Sequence, residues 1–192
     1  MEDAKNNRDV IRKTALRLFS RLGFAQTSVI TIAGEAGITK PTLYYYYGSK
    51  NALLEAIVAE YGIPLLNLTA KAAVYEHDLV MNLSALFRDL VDYAAGHPEY
   101  FRLLVSLYSS APETPGYDAG NGIRKRLVAK IEDLFERAAA DHGNMRNRQK
   151  MYAETFFGLI QTWALLIINR EVSLTDENRN RLVHQYMHGI FS

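Results

Sequence analysis

A chain of 192 residues, 48% hydrophobic and 22% charged, has the composition of an ordinary globular protein of one or two domains. It has no cysteine, which excludes disulfides and thiolate chemistry. The net charge of +1 hides an asymmetry: residues 5–50 carry eight bases against Asp9 and Glu35, a net +6, and the remainder carries −5. A basic segment beside an acidic remainder points to a local polyanion-binding surface.

The elements, in chain order, are all helical. Residues 8–22 place Ile11, Ala15, Leu18, Phe19 and Leu22 along one side, with Arg12, Lys13, Arg17 and Arg21 mostly elsewhere. Gly23 ends this helix, and Phe24 is placed to fold back onto it. In Ser28 to Lys50, Val29, Ile32, Ala33 and Ala36 recur at i, i+3, i+4 and i+7, with Ser28 as N-cap. Gly37 takes the left-handed turn, Ile38 fills it, Thr39 caps a second short helix, and Pro41 falls in that helix's first turn. This is a helix-turn-helix, with four consecutive tyrosines on its second helix.

Ser49 caps a fourth helix with Leu53, Leu54, Ile57, Val58 and Tyr61 on one stripe. Gly62 and Pro64 predict a kink or break at 61–64, since an interior proline costs about 3 kcal/mol where a helix must continue. A plain boundary and a functional hinge are equal readings of it. Residues 65–75 continue or restart the helix. A fifth helix covers 79–95 and stops at Gly96; a sixth starts at Pro98. The segment 109–122, SSAPETPGYDAGNG, reads as a long loop because of its prolines and glycines. A seventh helix spans 123–140 and closes at Gly143; an eighth spans 146–170; the last runs from Thr175 to about Ile190 with Asp176 and Glu177 in its first turn. The fold class is all-α, with about nine helices.

The eighth helix, MYAETFFGLIQTWALLII, is apolar on almost every face and must be covered all round. The ninth adds a stripe of Leu182, Val183, Tyr186, Met187, Ile190 and Phe191. Two such helices per chain predict a homodimer through 146–170 and 175–190, paired as a four-helix interface. The N-terminus, MEDAKNNRDV, is polar and lacks a signal peptide's apolar core. The longest apolar region, Phe156 to Ile168, is broken by Gln161 and Thr162 and falls short of the roughly 18 to 20 residues that cross a bilayer. The expectation is a cytoplasmic protein without a membrane partner.

The run from Ile11 to Lys50 resembles the DNA-binding domain of TetR-family transcriptional regulators. The matching positions are Ala15–Leu18–Phe19, Gly23-Phe24, Thr27-Ser28, Ile32-Ala33, Ala36-Gly37-Ile38, Thr42-Leu43-Tyr44 and Ser49-Lys50, followed by Leu53-Leu54. HisPro at 97–98, before an aromatic-rich helix, is similar to the family too. One departure is Tyr47, where the family usually has phenylalanine; its added hydroxyl needs water or a partner if the ring is buried.

The resemblance implies a DNA-binding domain at 5–61 and a helical effector-binding and dimerisation domain at 62–192. It implies that the second helix of the motif enters the major groove of double-stranded DNA, with Tyr44, Lys50 and Ser28 on phosphates. Thr39, Lys40, Pro41, Thr42 and Tyr45 are then the candidates for the groove floor, with Tyr46 towards the helix end. Leu43 and Tyr47 belong to the core. A two-fold dimer would bind a palindromic operator whose two half-sites lie one DNA turn (~34 Å) or more apart. The family role is a regulator, most often a repressor, released by a small molecule.

Candidates for an apolar effector pocket are Phe87, Phe101, Leu104, Tyr108, Tyr152, Phe156 and Trp163, although aromatics at helical spacing are more often ordinary core. An architectural DNA-binding role, or control by a protein partner, is the alternative. An enzyme is a remote one: there is no phosphate-cradling glycine loop and no HExxH, and His184 and His188 at i, i+4 have no fixed third ligand. No catalytic residue, metal or cofactor is expected.

Overall fold

The computed structural model describes residues 2–142 and 145–189, with side chains from residue 7. Among the described residues there are nine helices and no strand: α1 Glu2–Leu22, α2 Val29–Glu35, α3 Lys40–Tyr47, α4 Lys50–Ala72, α5 Leu79–Gly96, α6 Pro98–Tyr108, α7 Pro115–Ala138, α8 Gln149–Ile168 and α9 Asp176–His188. Gly143, Ile190 and Phe191 lie outside the described residues. The helices sort into two compact units, Met1–Ile63 with Glu99–Arg124, and Pro64–Pro98 with Lys125–Ser192. Helix α6 and the first part of α7 therefore belong with the N-terminal helices, a grouping that the order of the chain conceals.

In the first unit, Ile11, Ala15, Leu18 and Phe19 of α1 are buried together with Ile32 and Ala33, Leu43 and Tyr47, and Leu53, Leu54 and Ile57. Leu22, the last residue of α1, departs from the expected stripe and is 49% exposed. Phe24 does fold back: its ring meets Phe19 edge-on at 5.1 Å.

Two sequence expectations about glycine and proline are corrected in this unit. Helix α4 runs unbroken through Gly62 and Pro64. A side chain at Gly62 would sit 2.8 Å from Ile123 Cδ1 and 3.0 Å from Tyr100 Oη, so this glycine serves a close approach of helices. The segment 115–122 is helix, not loop: Thr114 caps α7 by accepting from the Tyr117 amide, and Pro115 opens its first turn. Gly120 lies where α7 crosses α6, and a Cβ there would fall 2.5 Å from Leu107 Cβ and 2.8 Å from the Tyr108 backbone nitrogen. Glycines that read as loop punctuation are helical contact points, and local propensity yields to packing.

In the second unit α5 packs against α8 and α9. Leu83, Leu86, Phe87, Leu90 and Val91 of α5 are buried, as are Ala153, Phe156, Phe157, Ile160 and Ala164 of α8. The Tyr186 hydroxyl donates to the Tyr152 carbonyl at 2.8 Å, and Arg179 pairs with Asp92 at 2.7 Å. Thr175 caps α9 through the Asn178 amide. Asn82 donates to the carbonyls of Ala72 and Val74, both at 2.8 Å, which closes the end of α4.

Helix α8 keeps a side that is incompletely covered: Leu159, Trp163, Leu166 and Ile167 share one face and are only half-buried. By length and composition alone α4 and α8 are each apolar enough to cross a membrane, which corrects the expectation drawn from Phe156–Ile168. Gln161 and Thr162 interrupt the apolar run without lowering the average of the whole helix enough to exclude it.

Candidate nucleic-acid interface

The turn between α2 and α3 is built by backbone bonds. The Ile38 amide donates to the Ala33 carbonyl at 3.0 Å and the Gly37 amide to the Gly34 carbonyl at 3.2 Å. Gly37 has φ +67°. This 6→1 and 5→2 pair closes α2 and needs the left-handed conformation at its C′ residue, which glycine takes without a Cβ clash. At the two helix starts, Ser28 Oγ accepts from the Thr31 amide at 3.0 Å and Thr39 Oγ1 from the Thr42 amide at 3.3 Å. Each capping hydroxyl is also 2.8 Å from the hydroxyl of the threonine three residues on.

The second helix of the motif is divided cleanly by burial. Leu43 and Tyr47 face the core at 0% and 7% exposure, while Tyr45 is 84% exposed. Lys40, Pro41 and Tyr44 share the solvent side with Tyr45, and Ser28 and Thr39 are exposed at the helix starts. The Lys40 ammonium lies 5.7 Å from the centre of the Tyr44 ring, a cation–π contact. Tyr45 and Tyr46 meet edge-on at 5.2 Å. Thr42 and Tyr46 are half-buried, so they are less available than the sequence suggested. Ile30 on α2 is 69% exposed and was not foreseen. Its signal lay in being an isoleucine at a position out of phase with Val29, Ile32, Ala33 and Ala36.

Tyr47 resolves the question of its hydroxyl. It donates to the Arg8 carbonyl at 2.8 Å, and the Arg8 guanidinium lies 5.4 Å over its ring. Burial pushes the Tyr47 phenol above its ordinary value, against the opposing charge of Arg12. Lys50 is placed otherwise than the resemblance implied. Its ammonium donates to the carbonyls of Phe24 at 2.9 Å and Thr27 at 3.0 Å, reaches Ala25 at 3.4 Å, and lies 4.4 Å from the Phe24 ring centre. Partial burial lowers its pKa. Three ammonium protons facing three carbonyls leave little for a phosphate, and the lysine acts as a clamp on the loop before α2.

The charge around the motif is also sorted. Asp9 is bonded by Arg12, which also meets Glu60, and Glu35 is bonded by Arg17 at 2.5 Å. With both acids of the stretch neutralised by arginines, Arg8, Lys13, Arg21 and Lys40 remain as exposed positive groups. Such a surface attracts a polyanion.

The apolar effector candidates are mostly core. Phe87 and Phe156 are fully buried in one unit, and Leu104 at 1% and Phe101 at 7% in the other. Tyr108 is half-buried, with its hydroxyl lacking a hydrogen-bond partner and its pKa raised by burial. Tyr152 borders a cavity of about 100 Å³, with Leu79, Phe135 and Tyr186. Trp163 borders another of about 310 Å³, with Leu174, Leu182 and Gln185. Tyr152 and Trp163 thus line separate cavities. Among the described residues no cluster of three or more metal-ligating side chains occurs; the His184 and His188 rings meet tilted, with centres 4.3 Å apart.

Comparison with known proteins places this geometry. Residues 11–57 match the family described as bacterial regulatory proteins, tetR family. The HTH-type transcriptional repressor SCO4008 of Streptomyces coelicolor is 31% identical over 129 residues, a stretch covering 66% of this chain and 64% of that repressor's length. A TetR-family transcriptional regulator from Bordetella parapertussis superimposes with a TM-score of 0.76 at 21% identity, covering 95% of each chain. The regulator FadR from Bacillus subtilis, solved in complex with stearoyl-CoA, gives 0.75 at 17% identity over 94% of this chain and 98% of its own.

Proposed function

Starting from a chain that belongs to the TetR family of bacterial regulators, we propose that it is a sequence-specific DNA-binding transcriptional repressor and not an enzyme. The observation that carries the reading is the division of α3, with Leu43 and Tyr47 buried and Lys40, Pro41, Tyr44 and Tyr45 presented to solvent. A helix displayed in this way can enter a major groove, where lysine donates to guanine O6 and N7 and the apolar atoms of proline and threonine meet thymine methyls. Tyr44 and the Ser28 end of α2 would hold phosphates and set the register. Arg8, Lys13 and Arg21 would add the sequence-independent attraction that makes binding depend on salt.

We assign the palindromic operator and the homodimer to the same reading. The half-buried outer side of α8 supports it, since Leu159, Trp163, Leu166 and Ile167 there are incompletely covered among the described residues. A second copy supplies that cover by two-fold symmetry. Residues 62–192 would form the effector-binding and dimerisation part, and a small, largely apolar effector would release the operator by favouring one spacing of the two reading heads over another. The stearoyl-CoA held by a protein of the same fold, an apolar acyl chain on a polyanionic head, supports by analogy an effector with an apolar part. The place of action would be the cytoplasm.

Selection of bound fragments from a random pool of duplex DNA tests the reading. Enrichment of one palindrome with two equal half-sites is the expected result. Retention of DNA without enrichment would favour an architectural binder, and a lone half-site would remove the dimer.

A further inference from the structure

The loop 23–27 takes part in more than the Lys50 clamp. Residues 23–26 also form one wall of a cavity of about 420 Å³, whose other wall is the corner between α6 and α7. All of it belongs to the first compact unit. Phe24, Ala25, Leu107, Ala111 and Pro115 supply its apolar lining. The hydroxyls that border it are already bonded to their own backbone: Ser106 donates to the Leu103 carbonyl at 2.7 Å, Ser110 to Leu107 at 2.6 Å and Thr114 to Ala111 at 2.8 Å. No charged, metal-ligating or nucleophilic cysteine side chain lines the cavity.

These features decide what fits. A carboxylate or phosphate would be desolvated without a countercharge, which is costly. The volume lies in the range of small-molecule sites and is far too small for a helix of a partner protein. A cavity of roughly 150 Å³ holds benzene, so this one has room for two or three fused rings or a branched chain of similar bulk. We propose that the cavity between residues 23–26 and the α6–α7 corner is a binding site for a small, uncharged, apolar molecule that weakens DNA binding. The coupling runs through Phe24. Its ring touches Phe19 of α1 and the Lys50 ammonium, and its Cδ1 lies 3.4 Å from where a Cβ would stand on Gly116. A guest beside that ring competes with the clamped position of the loop, and the loop leads directly into the Ser28 cap of α2. Occupancy is then favoured by the arrangement that reads DNA less well.

This inference rests on the DNA-reading role proposed above, and the experiment separates the two. Indole, a neutral two-ring probe, is titrated into the full chain while the methyl resonances of Ala25, Leu107 and Ala111 are followed; operator affinity is measured with and without it. The expected result is a saturable shift of the Ala25 and Leu107 methyls and at least a threefold loss of operator affinity. Ala111→Phe, and independently Ser110→Phe, fill the mouth from solvent-exposed positions. Both variants should bind operator normally without indole and lose the indole response at least tenfold. Absence of a saturable shift at these methyls, its persistence in both variants, or a shift with unchanged operator affinity would each overturn the proposal. A wild-type chain that binds no DNA without indole would instead remove the DNA-reading role, with the methyl shifts still deciding the site.

Discussion

The hydroxyl of Tyr47 donates to the backbone carbonyl of Arg8 at 2.8 Å, joining residues 39 positions apart. The bond fixes the end of the reading helix to the first turns of α1, beneath the Arg8 guanidinium.

Tyr47→Phe should therefore lower stability by about 1 kcal/mol, the usual net worth of one such bond, read as a lower urea midpoint with unchanged slope. The phenol also carries a pH dependence. Its folded pKa lies above 10.0 because burial disfavours the phenolate, so the folded chain keeps a proton that the unfolded chain releases. The stabilisation is complete below pH 10 and declines as pH rises through the folded value. Urea titrations above pH 10 should fall less steeply for the phenylalanine variant.

Lys50→Gln distinguishes a clamp from a phosphate contact. Loss of a phosphate contact would reduce the slope of log affinity against log salt by about 1 per protomer, about 2 for the proposed dimer. A clamp predicts an unchanged slope, weaker operator binding at every salt concentration, and a lower thermal midpoint, since the carbonyls of Phe24 and Thr27 lose their donor. Fluorescence anisotropy at four salt concentrations reads all but the midpoint, which calorimetry supplies.

Gly120→Ala and Gly62→Ala should behave differently. At Gly120 the new methyl meets the Tyr108 backbone nitrogen and Leu107 Cβ, neither of which can swing aside. Overpacking costs of about 1–3 kcal/mol exceed the gain of about 1 kcal/mol from replacing a helical glycine. At Gly62 the nearest atom is the end of the flexible Ile123 side chain, so the two terms should nearly cancel. Thermal unfolding of the pair checks the contrast, with Gly120→Ala the less stable.

Tyr45→Ala should weaken operator binding at least tenfold without altering stability by more than about 0.5 kcal/mol, since its ring is 84% exposed. Leu43→Ala should do the reverse, costing about 2–5 kcal/mol of folding stability from a side chain that is fully buried. Affinity at a temperature where both variants are folded, set beside their unfolding midpoints, separates the two roles.

The amino-acid sequence by itself determined what local chemistry can specify. The caps at Ser28, Thr39, Ser49 and Thr175, the left-handed turn at Gly37 and the inward phase of Leu43 and Tyr47 all follow from spacing and from side chains acting on their own backbone. Only the tertiary structure decided the cases in which a residue answers to a distant neighbour. Lys50 reaches the carbonyls of Phe24, Ala25 and Thr27, and Gly62 and Gly120 are contact points between helices. A periodic pattern reports which face is apolar, but it carries no information about what approaches that face. Close approach and the capture of an ammonium by carbonyls arise only when separate helices meet.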